Sequence, residues 1–374
     1  MTYTAEEIKV ELESKKKMIE RALKDGGVAR CWQEIEEEKY KWKSQKVNLA
    51  IAGRSGTGKS SFINAIVNKW TGTSPAAVGV TETTMECVGY EHPNNPNIIL
   101  LDLPGVGTEK FRQESYLHQV NADIFDVCII MTTDRFTEQD AWLGTEMQKR
   151  KIPVIFVRTK IRSDVKNSNH DYPHKDEQAV LEQVKQDIVG KSAKFIGPFG
   201  VFLIDNHKPD MYEFSNLEKC ITEKLPYLKS QAVVFSISSL TRDVLKLKVS
   251  TLRDRIWRAG LGSFVLGLFP TLSGLTEDTI VKGRATFYVE QLGLDVKSLE
   301  RRSINPTNLI SVKSKVDALM ADIPSITERS GFTRFFQLFP LIGGSISAEV
   351  VSNSLKEILD RLETIALEAV DAPN

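Results

Sequence analysis

The chain has 374 residues, 41% hydrophobic and 26% charged, with 49 Lys+Arg against 49 Asp+Glu and a formal net charge of zero. That length holds two packed domains, or one large domain with a substantial appendage, and the even charge balance argues against a polybasic nucleic-acid binder. The cysteines (Cys31, Cys87, Cys128, Cys220) form no CxxC pair and no dense framework, which points to a reduced, cytoplasmic compartment.

The opening residues carry no signal-peptide pattern and no glycine at position 2, so neither a secretory leader nor N-myristoylation is expected. Helix comes first. Thr4 and Glu7 make a capping box, Ile8, Leu12, Ile19 and Leu23 mark an apolar face, and Gly26-Gly27 ends it. A second charged helix is expected over 28–43, and the run Lys15-Lys16-Lys17 reads as a solvated helix face. The short apolar run 47–52 then leads into a Gly-rich loop, with helix continuing from 60 to 68. Residues 85–92 and 97–102 read as strands joined by Pro93-Asn94-Asn95-Pro96 in a hairpin. Apolar strands follow at 126–131, 153–157 and 201–204, separated by helical stretches at 113–121, 138–150 and 176–189. This alternation predicts an α/β fold with a mostly parallel, helix-covered sheet, the hairpin adding one antiparallel strand.

From about residue 217 the strand signal fades. Ile237, Leu240, Val244, Leu247 and Leu252 follow helical spacing, as do Val351, Leu355, Ile358, Leu362 and Ile365. Residues 259–276 run 18 positions without a charge, the lower limit for a membrane span, but Gly260, Gly262, Gly267, Pro270 and Gly274 favour a buried helical hairpin. Leu268-Phe269-Pro270 is echoed by Leu338-Phe339-Pro340, each marking a breaker between helices. The expected domains are N-terminal helices at 1–45, a nucleotide-binding domain at 46–226 and a C-terminal helical domain at 227–374.

Gly53-Arg54-Ser55-Gly56-Thr57-Gly58-Lys59-Ser60, followed by Ser61, has the spacing of a P-loop between a strand and a helix. Its glycines let consecutive N–H groups point at phosphate oxygens. Lys59 adds charge near the β- and γ-phosphates, and Ser60 offers a hydroxyl to Mg²⁺. The helix N-terminus aims its positive end at the same anion. Downstream, the apolar strand ending in Asp102-Leu103-Pro104-Gly105 delivers a carboxylate for the Mg²⁺ shell and an N–H, that of Gly105, for a γ-phosphate. Between the two lie Thr81, Glu82, Thr83 and Thr84. One threonine there would close over Mg²⁺ and the γ-phosphate, and Glu82 is a candidate for orienting water; composition does not choose among the threonines. Thr159-Lys160-Ile161 begins a guanine-reading motif whose fourth position should be Asp and is Arg162, with the next acid, Asp164, two residues late. A guanidinium cannot accept from guanine N1–H and N2–H, and an unpaired buried donor costs roughly 1–3 kcal/mol. Either Asp164 reaches in from a distorted loop or guanine specificity is weakened.

With these residues in place the chain resembles the immunity-related GTPases, an interferon-inducible family. The likeness covers Gly79-Val80-Thr81-Glu82-Thr83-Thr84-Met85-Glu86, the His92-Pro93 to Pro96-Asn97 turn, Asp102-Leu103-Pro104-Gly105-Val106-Gly107 and Phe156-Val157-Arg158-Thr159-Lys160. Later it covers 288–295 and Phe339-Pro340-Leu341-Ile342-Gly343. The resemblance implies a dynamin-like GTPase of the GKS type, with a Ras-like domain inserted in a helical domain built from both termini. It implies GTP and GDP as nucleotides with Mg²⁺, Thr84 as the Mg²⁺-sensing threonine, and Glu82 as a switch acid linked to hydrolysis. It also implies homo-oligomerisation when GTP-loaded and peripheral contact with intracellular vacuole membranes; nucleic acid is not an expected partner. Arg162 in place of the family's guanine-reading Asp, and Asp205-Asn206-His207 where a Ser-Asn-Lys-like loop would meet the base, are departures. They keep open a scaffold that binds nucleotide without hydrolysis or with relaxed guanine preference, and an ATPase with the same cradle. His170 and His174, spaced i, i+4 in and just after a polar loop at 167–173, are not read as metal ligands, and Phe332, Phe335, Phe336, Phe339 and Leu341 are read as core.

Overall fold

The computed structural model describes residues 5–71, 87–105, 113–133, 136–171, 176–192, 201–209, 211–237, 241–267, 277–301, 305–330 and 340–372. In chain order the elements are α1 (Ala5–Glu38), β1 (Val47–Ala52), α2 (Lys59–Thr71), β2 (Val88–His92), β3 (Asn95–Asp102), α3 (Gln113–Gln119), β4 (Val127–Thr132) and α4 (Glu138–Lys149). There follow β5 (Val154–Arg158), α5 (Ile161–Asp171), α6 (Glu177–Ser192), β6 (Val201–Leu203), α7 (Phe214–Lys224) and α8 (Tyr227–Ser236). Helices α9 (Arg242–Gly267), α10 (Glu277–Gln291), α11 (Val296–Arg301), α12 (Pro306–Ala321), α13 (Ile323–Ser330) and α14 (Pro340–Asp371) complete the chain. Two compact units result: Trp42–Ile237, and Met1–Lys41 together with Ser238–Asn374.

The first unit is built on a 6-stranded sheet in the order β2-β3-β1-β4-β5-β6. Its strands are parallel except β2, which pairs antiparallel with β3. The central strands are near-continuous apolar runs because helices cover both faces of such a sheet: β4 and β5 are buried along their whole length. On one face Ala52, Leu101, Leu103, Tyr116, Leu143, Met147, Phe156 and Ile188 share a core. The hairpin turn is fixed by its own side chains, with Asn94 N–H donating to His92 Nδ1 at 3.1 Å and Asn97 N–H to Asn95 Oδ1 at 3.1 Å.

Within this unit, the boundary and one loop differ from the sequence reading. The unit runs on to Ile237, beyond the boundary expected at 226, because Ala232, Val233, Val234 and Phe235 of α8 are buried and Ser236 holds the hairpin. Asn94 Nδ2 donates to its carbonyl at 3.1 Å and Asn95 Nδ2 to its hydroxyl at 3.2 Å. The stretch 167–171, read as loop, is the last part of α5; Ile161 (0% exposed) and Val165 (6%) bury one face of that helix at i, i+4 spacing. His174 lies outside the described residues.

The second unit is helical. Gly26 (φ −166°, ψ 18°) and Gly27 (φ 65°, ψ −151°) break α1 into two helices where the sequence placed the break; Thr4 lies outside the described residues. Lys15 is not on a solvated face. It is 4% exposed and pairs with Glu38 of the second helical segment at 2.5 Å, while Lys16 and Lys17 are exposed. Arg284 stands 3.8 Å from the same carboxylate, and Lys39 Nζ donates to Gly283 O at 3.0 Å. Burial alone would raise the Glu38 pKa; Lys15 and Arg284 outweigh it and hold the carboxyl below its usual range. At Gly260 the helices α9 and α14 approach so closely that a Cβ would stand 2.5 Å from Ser352 Oγ. Residues 268–276, the rest of the expected hairpin, and Phe332, Phe335, Phe336 and Phe339 lie outside the described residues. No helix among the described residues is long and apolar enough to cross a membrane.

Candidate functional site

The loop after β1 is shaped by what its glycines permit. Gly53 has φ +142°, and a Cβ there would meet Met131 O at 2.4 Å, so β4 backbone excludes any side chain. Gly58 has φ +88° and would place a Cβ 3.0 Å from Asn206 Nδ2; Gly56, exposed, is selected by its φ of +76°. Thr57 closes the turn, its buried hydroxyl donating to Arg54 O at 2.8 Å. Ser55 is exposed and Ser61 half-buried. Lys59 opens α2, is 8% exposed, and its ammonium donates to Gly53 O at 3.1 Å and Arg54 O at 3.5 Å, so it bridges the two ends of its own loop. Ser60 Oγ donates to Asp102 Oδ2 at 2.6 Å. Asp102 ends β3 fully buried, and Leu103 N–H donating to Ile51 O at 2.9 Å seats that strand end beside β1. Burial raises the Cys87 and Tyr90 pKa values, and the Asp102 charge adds to both.

Two further loops are tied to this cradle. Thr159 Oγ1 donates to Thr57 O at 2.8 Å, Lys160 Nζ to Gly56 O at 3.0 Å, and Asn206 Nδ2 to Gly58 O at 3.0 Å. Lys160 itself is left-handed, with φ 58°, which the bonds on either side of it must hold against its steric cost. Segments at 53–60, 159–160 and 205–207 therefore meet at the carboxyl ends of parallel strands, where open α/β sheets bind ligands.

The acids beside this meeting point are engaged elsewhere. Asp164 Oδ2 accepts from Arg158 Nε at 3.1 Å and Nη2 at 2.6 Å, and Asp205 Oδ1 accepts from His207 N–H at 2.8 Å. Arg158 is 6% exposed at the end of β5, and Arg162 is exposed in the first turn of α5. Asp164, named from sequence as a possible base reader, thus sits in a helix against a buried arginine rather than in a distorted loop. Gly105 lies at the end of the described stretch after Asp102, with Tyr116 of α3 donating its hydroxyl to Pro104 O at 2.8 Å. Glu82 and Thr84, with Thr81 and Thr83, lie outside the described residues, as do Val106 and Gly107. Sequence reasoning missed Arg158 and Tyr116. A lone charge closing the apolar run Val154-Ile155-Phe156-Val157 was the available signal for the first; nothing local marked the second.

A model of the family described as interferon-inducible GTPase matches residues 12–367. The chain belongs to that family. It is a GTPase, with GTP and GDP as its nucleotides. Interferon-inducible GTPase 1 of Mus musculus is 29% identical to it over 351 residues, 91% of this chain and 84% of that one. T-cell-specific guanine nucleotide triphosphate-binding protein 2 of Mus musculus is 32% identical over 266 residues, 69% of this chain, which spans only 63% of that relative's length. Among solved structures, Era in complex with MgGDPNP and part of 16S ribosomal RNA aligns at a TM-score of 0.34, with 22% identity over 49% of this chain and 58% of that one. So loose a superposition adds nothing to the strand order. In this GTPase the P-loop occupies the place between β1 and α2 that the sequence assigned to it.

Proposed function

We propose that this GTPase binds and hydrolyses GTP on the cradle formed by Gly53, Ser55, Gly56, Thr57, Gly58, Lys59, Ser60 and Ser61. The observation that carries the reading is the 2.6 Å bond between Ser60 and Asp102 beneath a lysine already bent over its own loop. A hydroxyl and a carboxylate held together are hard oxygen donors of the kind Mg²⁺ takes, with phosphate oxygens and water filling its remaining positions. Ser60 and Asp102 would hold the ion, and the Thr84 hydroxyl would join them. When bound, Mg²⁺ offsets charge on the β- and γ-phosphates. Lys59 exchanges the carbonyls of Gly53 and Arg54 for phosphate oxygens. The Gly105 N–H meets the γ-phosphate, and Glu82 orients the attacking water. Catalysis of this kind is mainly positioning and charge stabilisation.

In the same proposal hydrolysis is coupled to assembly of GTP-loaded copies, at intracellular vacuole membranes that the cytoplasmic protein touches peripherally in cell-autonomous defence. The interferon-inducible names of the relatives support the role in defence alone. If a neighbouring copy completes the site, the GTPase rate per molecule rises with protein concentration. A rate constant across a wide concentration range would refute coupling to assembly.

A second reading follows from the Arg158–Asp164 pair, which engages the acid nearest the missing fourth position of the base motif. With Arg162 there, the preference for guanine over adenine is relaxed while the phosphate cradle is unchanged. Arg162→Asp should then raise GDP affinity relative to ADP by tenfold or more. Nucleotide extracted from purified protein separates the readings: GDP alone supports strict guanine selection, a mixture with ADP the relaxed preference.

A further inference from the structure

The hydroxyl of Tyr116 reaches an atom whose orientation matters to the reaction. Tyr116 is 0% exposed on α3, its ring set edge-on to Trp142 of α4 at 6.2 Å and 71°, and its hydroxyl donates to Pro104 O at 2.8 Å. Pro104 C=O and Gly105 N–H belong to one peptide group. That group is planar and trans, so its C=O and N–H point in opposite directions, and fixing one fixes the other. Pro104 O is drawn toward the buried cluster that contains Leu101, Leu103 and Tyr116. Gly105 N–H is thereby turned away from that cluster. The bond is also sheltered from competition by water, which strengthens its hold on the peptide.

We infer that Tyr116 is a positioning residue for γ-phosphate recognition, acting through the Pro104–Gly105 peptide. The inference rests on the reading above that Gly105 N–H meets the γ-phosphate. It makes the helix after Gly105 part of the sensor: a shift of α3 rotates the peptide, and a bound γ-phosphate holds α3 in place. Diphosphate binding does not use this N–H and stays outside the linkage.

The test compares affinities for GDP and for a non-hydrolysable GTP analogue, using fluorescent nucleotides and the full chain with Mg²⁺. Tyr116→Phe keeps the ring and removes only the hydroxyl. Its affinity for GDP should match wild type, while triphosphate affinity and the turnover rate at saturating GTP each fall roughly fivefold, the worth of one ordinary hydrogen bond. Replacing Tyr116 with 3-fluorotyrosine, a stronger donor of nearly the same volume, should move the triphosphate-to-diphosphate ratio the other way. A ratio unchanged in both variants overturns the proposal, as does an equal loss of both nucleotides in both. Gly105→Pro, which deletes the N–H, separates the two layers. If it leaves the ratio as in wild type, the γ-phosphate role of Gly105 fails. If it lowers the ratio and the two Tyr116 variants leave it unchanged, only the role of Tyr116 fails.

Discussion

Replacing His92 with asparagine should remove a defined part of the protein's acid sensitivity. His92 ends β2 at 1% exposure, where its Nδ1 accepts the Asn94 N–H at 3.1 Å, and burial pulls its pKa from 6.5 down to about 4. A histidine depressed in the folded state leaves stability intact above pH 6.5. Protonation of the unfolded chain then drains stability as the pH falls, until the loss levels off near pH 4. The gap between those values is worth about 3 kcal/mol in full, and about 1 kcal/mol of it falls between pH 7.5 and 5.5. Asparagine offers its side-chain oxygen to the N–H two residues on, as in an Asx-turn, and does not titrate. Urea unfolding of the full chain at both pH values, followed by circular dichroism, reads the difference. Wild type should lose about 1 kcal/mol more than His92→Asn on acidification, whatever the constant cost of the substitution. Equal losses in the two proteins, within about 0.3 kcal/mol, would refute the burial argument.

Gly58→Ala should cost at least tenfold in nucleotide affinity with a much smaller change in melting temperature. The new Cβ at φ +88° crowds Asn206 Nδ2 and unseats the 205–207 loop from the cradle, which fluorescent nucleotide titration will show. Asp102→Asn keeps an acceptor for Ser60 but removes the charge. The Mg²⁺ concentration that half-saturates GTP binding should rise about tenfold, while affinity without Mg²⁺ changes little. Lys15→Met leaves the Glu38 carboxylate short of its first partner and should destabilise by about 3 kcal/mol. Combining it with Glu38→Gln should recover part of that loss, since an uncompensated buried charge costs more than a missing pair. A double-mutant cycle from urea melts gives the coupling.

Much of the sheet-bearing unit was legible because short-range rules govern it. β1 spans Val47–Ala52, the same residues as the apolar run read from sequence, since a central strand covered on both faces is apolar and buried at every position but the half-buried Asn48. The Gly-rich loop was equally plain, because positive φ at Gly53, Gly56 and Gly58 is a backbone demand that residue type itself announces. The break at Gly26-Gly27 was legible for the same reason, Gly27 having φ 65°, and the hairpin from the turn-forming Pro and Asn residues at 93–96. Charge was not. Lys15 looked identical to Lys16 and Lys17, and only the second helical segment of α1, folding back to place Glu38 against it, distinguished them. Likewise α8 reads as one more helix in the chain; its place with the sheet depends on Ser236 meeting Asn94 and Asn95 from a hairpin 141 and 142 residues earlier.

The sequence by itself determined that a phosphate-binding loop lies between a strand and a helix, and that a carboxylate arrives at the end of a second strand. Both are consequences of residue spacing along a few turns of chain. Only the tertiary structure decided where the side chains near the base end point. Asp164 is six residues from Arg158 and two from Arg162, and sequence distance favours neither as a partner. Burial decides: Arg158, closed in at the end of β5, needs a counter-charge more than an exposed arginine does, and Asp164 on α5 supplies it at 2.6 Å.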